Sequence, residues 1–279
     1  MRAIAVVLML CISPFIAAAQ KVVLYADDAY PPYSFSEQGQ ARGLYAQILR
    51  KAFSRMPDYE VRIEPKPWKR ALKALERGEV MAIYPPYWHP IRRPFMWPYS
   101  VPLFEESVAV YCHKQRWQAQ FNARWPEDFQ GLRISVTSGY DIGGKRYRRL
   151  IDSGHITEVN ARSTELSLLM LAKGRSDCLL NDRLSTRLEL KRLQSALSDT
   201  AVLAELALLQ DVATVSKQAA FVGFNKQFAA RYPYWQDFFE QLNDRLLEMH
   251  GRGEIYQIAK DYVQQQTQCP ECSYLLRQP

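Results

Sequence analysis

Short apolar strands alternate with amphipathic helices along most of this chain, and that alternation limits the possible folds more than any single motif. VVLYA (22–26) is apolar and of strand length, and Leu44, Ile48, Leu49 and Ala52 then recur at helical spacing. YEVRIEP (59–65) alternates with period two, and Trp68, Ala71, Leu72 and Leu75 mark a second helix closed by Gly78. VMAIYP (80–85) has the length and composition of a buried strand. A second run of the same kind follows the extended segment EESVAVYCH (105–113). It comprises strands in LRISVTSG (132–139), ITEVN (156–160) and DCLLND (177–182), and helices after Gly144 and after Ser163 or Thr164. AFVGFNK (220–226) reads as one more strand, followed by two terminal helices. Such alternation implies mainly parallel sheets flanked by helices. With no repeat and no Gly/Ser tether, two α/β lobes joined by extended crossings fit best.

The N-terminus predicts the compartment. Arg2, the apolar run from Ile4 to Ile16 and Ala17-Ala18-Ala19 have the three-part pattern of a secretory signal peptide cleaved after Ala19, so residues 1–19 are assigned to a signal. The run is short for a membrane span. Cys11 does not read as a lipid anchor, because Leu10 stands where a small residue is wanted. The remaining chain of about 260 residues is long enough for two cores. At 48% hydrophobic and 23% charged residues its composition is globular. The net charge of +7 is scattered rather than gathered into a stripe, so no nucleic-acid partner is expected. An oxidising compartment favours disulfides. Cys269 and Cys272 are expected to close a small loop, while Cys112 and Cys178 lie in apolar runs that predict burial, with no pairing assigned.

In open α/β sheets, ligands bind beyond the carboxyl ends of the strands. The residues following the strands are Asp27, Asp28, Tyr30 and Tyr33, then Tyr84, Tyr87, Trp88, Arg92 and Arg93. The second lobe offers Ser138, Gly139, Tyr140, Asp141, Asn181 and Asp182. Aromatic walls with both signs of charge suit a small polar or zwitterionic ligand. Catalytic patterns are missing. The 4 histidines have no metal-ligand spacing, and no nucleophile elbow, P-loop or dinucleotide fingerprint occurs. No cofactor or metal is expected.

DDAYPPYSF, GLYAQIL, PWKRALKALERGEVMAI, GLRISVTSG, LAKGRSDCLLND, VGFNK and GEIYQIAKDYV, in this order, resemble the periplasmic solute-binding proteins of family 3, the polar amino-acid class. The resemblance implies a two-lobed clamshell of the periplasmic-binding-protein fold, each lobe a mixed, mainly parallel sheet flanked by helices. Lobe 1 would comprise residues 20–107 and 218–279, and lobe 2 residues 108–217. It further implies that Asp27 and Tyr30 line the side-chain end of a pocket and that Trp68 stacks on the ligand. By the same resemblance Arg93 holds an α-carboxylate and Asp182 an α-ammonium. Tyr84, Trp88, Ser138, Tyr140 and Asp141 complete the expected site.

Departures from the family pattern bear on the ligand. PPYWHPIRR (85–93) has prolines and Trp88 where small hydroxyl donors are usual, and Tyr140-Asp141 replaces a hydroxyl pair. Asp141 would repel a ligand carboxylate unless it turned away to cap the next helix. Met81 replaces a mainly structural aspartate. The aromatic content suggests a larger, flatter or less charged ligand than lysine or histidine. The expected function is capture of an amino acid or related carboxylate for ABC-type uptake or sensing. The partner would be an inner-membrane permease or a receptor, and the chain a monomer, since a clamshell must open. The alternatives are a cyclohexadienyl-dehydratase-like enzyme and an orphan binding protein that docks on a receptor.

Overall fold

The computed structural model describes residues 18–115, 117, 123–267, 269, 272 and 276. Residues 1–17, which carry most of the expected signal peptide and Cys11, lie outside them. The chain opens with β1 (Gln20–Asp27) and a three-stranded antiparallel meander of β2 (Ala29–Tyr30), β3 (Ser34–Glu37) and β4 (Gln40–Arg42). Next come α1 (Leu44–Phe53), β5 (Tyr59–Lys66), α2 (Trp68–Glu76) and β6 (Ala82–Tyr84). The second lobe holds β7 (Phe104–His113), β8 (Arg133–Thr137), α3 (Gly144–Asp152), β9 (Thr157–Ala161), α4 (Thr164–Ala172), β10 (Cys178–Asp182), α5 (Arg183–Ala196), α6 (Thr200–Ala207) and β11 (Leu209–Ala220). The chain then returns through β12 (Gly223–Phe224), α7 (Trp235–Gly251) and α8 (Glu254–Gln266).

Two sheets organise the lobes. In the first, β5, β1 and β6 run parallel and β12 closes the edge antiparallel, in the order β12-β6-β1-β5. The second has the order β11-β7-β10-β8-β9, with β10, β8 and β9 parallel and β7 antiparallel to both of its neighbours. The stripes read from the sequence are the buried faces. Leu44, Ile48, Leu49 and Ala52 of α1 are fully buried, as are Ala71 and Leu75 of α2. Ser163 caps α4, its hydroxyl accepting the Leu166 N–H, and Asp182 caps α5 through the Ser185 N–H. The segment 29–42, between the first strand and the first helix read from the sequence, forms the meander. The strand expected over 220–226 is reduced to β12, and the long strand β11 takes its place in linking the lobes.

β7 and β11 are the crossings. They pair antiparallel from Leu209 opposite His113 to Ala220 opposite Phe104, and the Leu103 N–H continues the ladder to the Ala220 carbonyl. The buried apolar core runs along them without a break, from Leu24 and Tyr84 through Leu103 and Phe104 to Val108, Val110 and Ile134. Cys112 and Cys178, expected only to be buried, stand opposite each other on β7 and β10 and form a disulfide. Cys269 and Cys272 are bonded as well. The Cys112–Cys178 bond spans 66 residues of chain and restricts the unfolded ensemble. The double replacement Cys112→Ala/Cys178→Ala is expected to lower unfolding free energy by roughly 2–4 kcal/mol in urea titrations. An unchanged midpoint would show that the bond contributes nothing to stability.

Candidate ligand site

The carboxyl ends of β1, β6 and β8 converge on a cavity of about 30 Å³ between the lobes. The first lobe lines it with Asp27, Tyr30, Trp68, Pro85, Tyr87, His89 and Arg93. The second contributes Tyr140, Asp141 and Ile142 from the turn after β8. A space of this size exceeds the roughly 10–15 Å³ that a single water needs. The lobes meet across it through named polar contacts. Tyr140 Oη donates to Asp27 Oδ2 at 2.8 Å, Arg93 Nη2 donates to the Gly139 carbonyl at 3.0 Å, and Arg92 Nη1 lies 2.8 Å from Asp141 Oδ1. Gly139 makes the approach possible. Its φ is +90°, and a Cβ there would stand 3.0 Å from Lys69 Cγ and 3.2 Å from Trp68 Cδ1.

Arg93 is the group whose surroundings point to a ligand. It is only 8% exposed, and its guanidinium lies 5.7 Å from the centre of the Trp68 ring, a cation–π position. Among the described residues no carboxylate comes within 4.0 Å of it. Burial draws its pKa down, and only the more distant Asp141 charge and the Tyr99 hydroxyl oppose this. His89, half-buried beside it, has its pKa lowered chiefly by burial, and its Nε2 has no hydrogen-bond partner among the described residues.

The acids are placed very differently. Asp27 accepts the Ala29 N–H at Oδ1 and the Tyr140 hydroxyl at Oδ2, and burial raises its pKa to about 7. Glu106, on the crossing strand β7, accepts hydroxyls from Tyr30, Tyr45 and Tyr87. Its pKa rises to about 8, first through burial and then through the nearby Asp182 charge, with the tyrosine bonds pulling the other way. Asp182 accepts the Ser185 N–H at 2.7 Å with one oxygen and the Ser107 N–H at 3.1 Å with the other. Burial raises it to about 6, and the bonds from Ser185, Tyr33 and Ser107 moderate the shift.

The sequence profile of the bacterial extracellular solute-binding proteins, family 3, matches residues 22–265. The chain belongs to that family. No curated protein sequence matches it. Solved structures with the same two-lobed fold include an ancestral arginine-binding protein bound to arginine, with TM-score 0.68 and 17% identity over 87% of this chain and 97% of that one. Another is ArtJ, the arginine-, lysine-, histidine-binding protein of Geobacillus stearothermophilus, with TM-score 0.65 and 16% identity over 91% and 99%. A third comes from work on glutathione import via GshT and the cystine ABC importer TcyBC of Streptococcus mutans, with TM-score 0.69 and 14% identity over 88% and 95%. Identities this low establish the fold alone.

In this solute-binding protein, Asp27, Tyr30, Trp68, Arg93, Tyr140 and Asp141 of the expected site line the cavity. Tyr84, Trp88, Ser138 and Asp182 do not. Tyr84 is enclosed in the core beneath the sheet, and Trp88 is 56% exposed. Ser138 continues the sheet hydrogen bonding through its N–H to Ala161, and both Asp182 oxygens are held by backbone N–H groups. Asp141 pairs with Arg92 instead of capping α3, whose N-cap residue is Gly143. Tyr87, offered among the strand-end residues, lines the cavity as well, while sequence reasoning did not single out Pro85, His89, Ile142 or the nearby Glu106. Strand parity was the available signal for Glu106, which shares the inward face of β7 with Val108 and Val110.

The raised acids give a signed pH dependence. Between pH 8.5 and 6.5 the folded molecule takes up protons on Glu106 and Asp27 that the unfolded chain, with ordinary carboxylates, does not. Stability is therefore present at the acid side of that window and lost as pH rises through it. The melting temperature is expected to rise from pH 8.5 to 6.5, with the upper part of the slope flattened in Glu106→Gln. A melting temperature that falls towards pH 6.5 would contradict the assignment.

Proposed function

We propose that the chain is an exported, periplasmic solute-binding protein that captures a small carboxylate between its lobes, with Arg93 as the carboxylate's partner. The observation that carries this reading is the buried guanidinium of Arg93, which has a carbonyl and an indole face but no ion-pair partner within 4.0 Å among the described residues. Taking an unpaired ion out of water costs several kcal/mol even after relaxation. A carboxylate removes that penalty through two parallel charge-assisted hydrogen bonds. Asp27, Tyr30, Trp68, Tyr140 and Asp141 complete the walls.

Capture proceeds by lobe motion about β7 and β11, with lobe 1 taken as 20–107 and 218–279 and lobe 2 as 108–217. Opening breaks the Tyr140–Asp27, Arg92–Asp141 and Arg93–Gly139 contacts. A ligand that bridges the lobes shifts the population back to the closed form. The residues 1–19 direct export, and the closed monomer presents its ligand to an inner-membrane ABC permease or a receptor. Among the described residues no helix is long and apolar enough to cross a membrane. Within this reading the function is binding without turnover, and the two cavity acids, Asp27 and Asp141, serve the closed seam through Tyr140 and Arg92.

Thermal-shift screening against carboxylates, followed by calorimetry, tests the reading. Two charged hydrogen bonds at roughly 1.5 kcal/mol each imply that Arg93→Ala weakens carboxylate binding at least ~100-fold. The unliganded variant is expected to melt no lower than the parent, because an uncompensated buried charge has been removed. Unchanged affinity would refute the assignment.

A further inference from the structure

The charges around the cavity are unequally satisfied, and the inequality selects a class of ligand. A zwitterionic α-amino acid needs an anion for its ammonium as well as a cation for its carboxylate. The acids near the cavity are Asp27, Asp141, Asp182 and Glu106, and with the lobes closed none has both oxygens free. Asp182 is bound by two backbone N–H groups, and Glu106 by three tyrosine hydroxyls. Asp141 is neutralised by Arg92, and Asp27 is filled by the Ala29 N–H and the Tyr140 hydroxyl. On the cationic side, Arg93 has only the Gly139 carbonyl and the Trp68 face. Among the described residues the site thus has one charged group without a direct ion-pair partner, and it is positive. An ammonium placed here would be desolvated without a counter-ion, which costs more than a bound carboxylate alone can return.

The shape of the site supplies the other half. Tyr140 places a phenol in the middle of the site. Its ring stands edge-on to Tyr30, with centroids 5.3 Å apart and planes at 78°, and its hydroxyl donates to Asp27. Asp27 and Asp141 each take a side-chain partner from the opposite lobe, and Asp27 is the one of the two whose partner is the Tyr140 ring itself, so displacing that ring frees its Oδ2 for another hydroxyl. The position is therefore already shaped for an aromatic ring with a donor at its far end.

Resting on the carboxylate reading above, we propose that the ligand is an aryl carboxylate without an α-ammonium group. Its carboxylate pairs with Arg93, and its ring takes the place between Tyr30, Trp68 and Asp27 that the Tyr140 ring fills in this structure. Tyr140 swings out with its lobe and closes behind the ligand. A para-hydroxyl on the ligand inherits the bond to Asp27.

Matched pairs that differ only by the ammonium test this. Calorimetry of the full chain would use 3-(4-hydroxyphenyl)propanoate against tyrosine and 3-phenylpropanoate against phenylalanine, each with parent and Arg93→Ala protein. The expected result is binding of the propanoates at least tenfold tighter than their amino counterparts, the hydroxylated one tighter, and both lost in Arg93→Ala. Equal or tighter binding of tyrosine and phenylalanine, lost in Arg93→Ala, would overturn this inference and leave the carboxylate reading standing. The inference is likewise overturned, and the carboxylate reading kept, if none of the four binds while an aliphatic acid such as glutarate or arginine binds through Arg93. If no carboxylate in either set binds, both the inference and the carboxylate reading fall.

Discussion

The pairing of β7 with β11 is the constraint on which the rest of this molecule depends. This ladder forms the edge of the second sheet, and its far end carries the chain from one lobe to the other and back. Its backbone bonds fix the lobes in translation while the two strands can still twist together. Irregularities between Asp211 and Ala213 and between Thr214 and Ser216 sit in the part of β11 that belongs to the second sheet, and bulges of this kind increase local twist. Near the other end, Glu106 stands opposite Gln218 and gathers hydroxyls from β2, from α1 and from the loop after β6. The crossing strand is thus keyed into the first lobe by side-chain bonds as well as by its ladder.

The seam between the lobes is polar, and the distribution of its satisfied groups matters more than its polarity. Buried polar groups cost free energy unless they are hydrogen-bonded. Here the acids are furnished with donors from backbone and tyrosine, and burial raises the pKa of Asp27 to about 7 and of Glu106 to about 8. The arginine is left short. Keeping these opposite charges apart, with the acids served by neutral donors, leaves the cation to an incoming anion.

Much of the fold was legible because burial imposes periodicity. β1, β5, α1, α2 and α7 each bury one face, and their residues repeat accordingly. β11 was not legible. It is an edge strand, half-exposed along nearly its whole length, so LQDVATVSKQAA has no alternation to read. The meander was hidden by Pro31 and Pro32, which read as loop. In the site, the rule that ligands gather at strand ends found the residues that line the cavity, but it cannot tell a side chain that faces the cavity from one that terminates the sheet. Asp182 shows the difficulty, since two amide groups claim it. Trp88 shows another. In the extended loop its neighbour Tyr87 turns inward to Glu106, which leaves the indole outside.

Gly139 has a consequence that reaches beyond conformation. It is the point where the second lobe's backbone rests on Trp68 and Lys69, and its carbonyl receives Arg93. The thickness of whatever stands at that position sets how near the two halves can come, so the gap is written at a single codon. Any side chain there would both strain the backbone at that φ and press on Trp68, so the closeness of the two halves is tied to the one residue that has none.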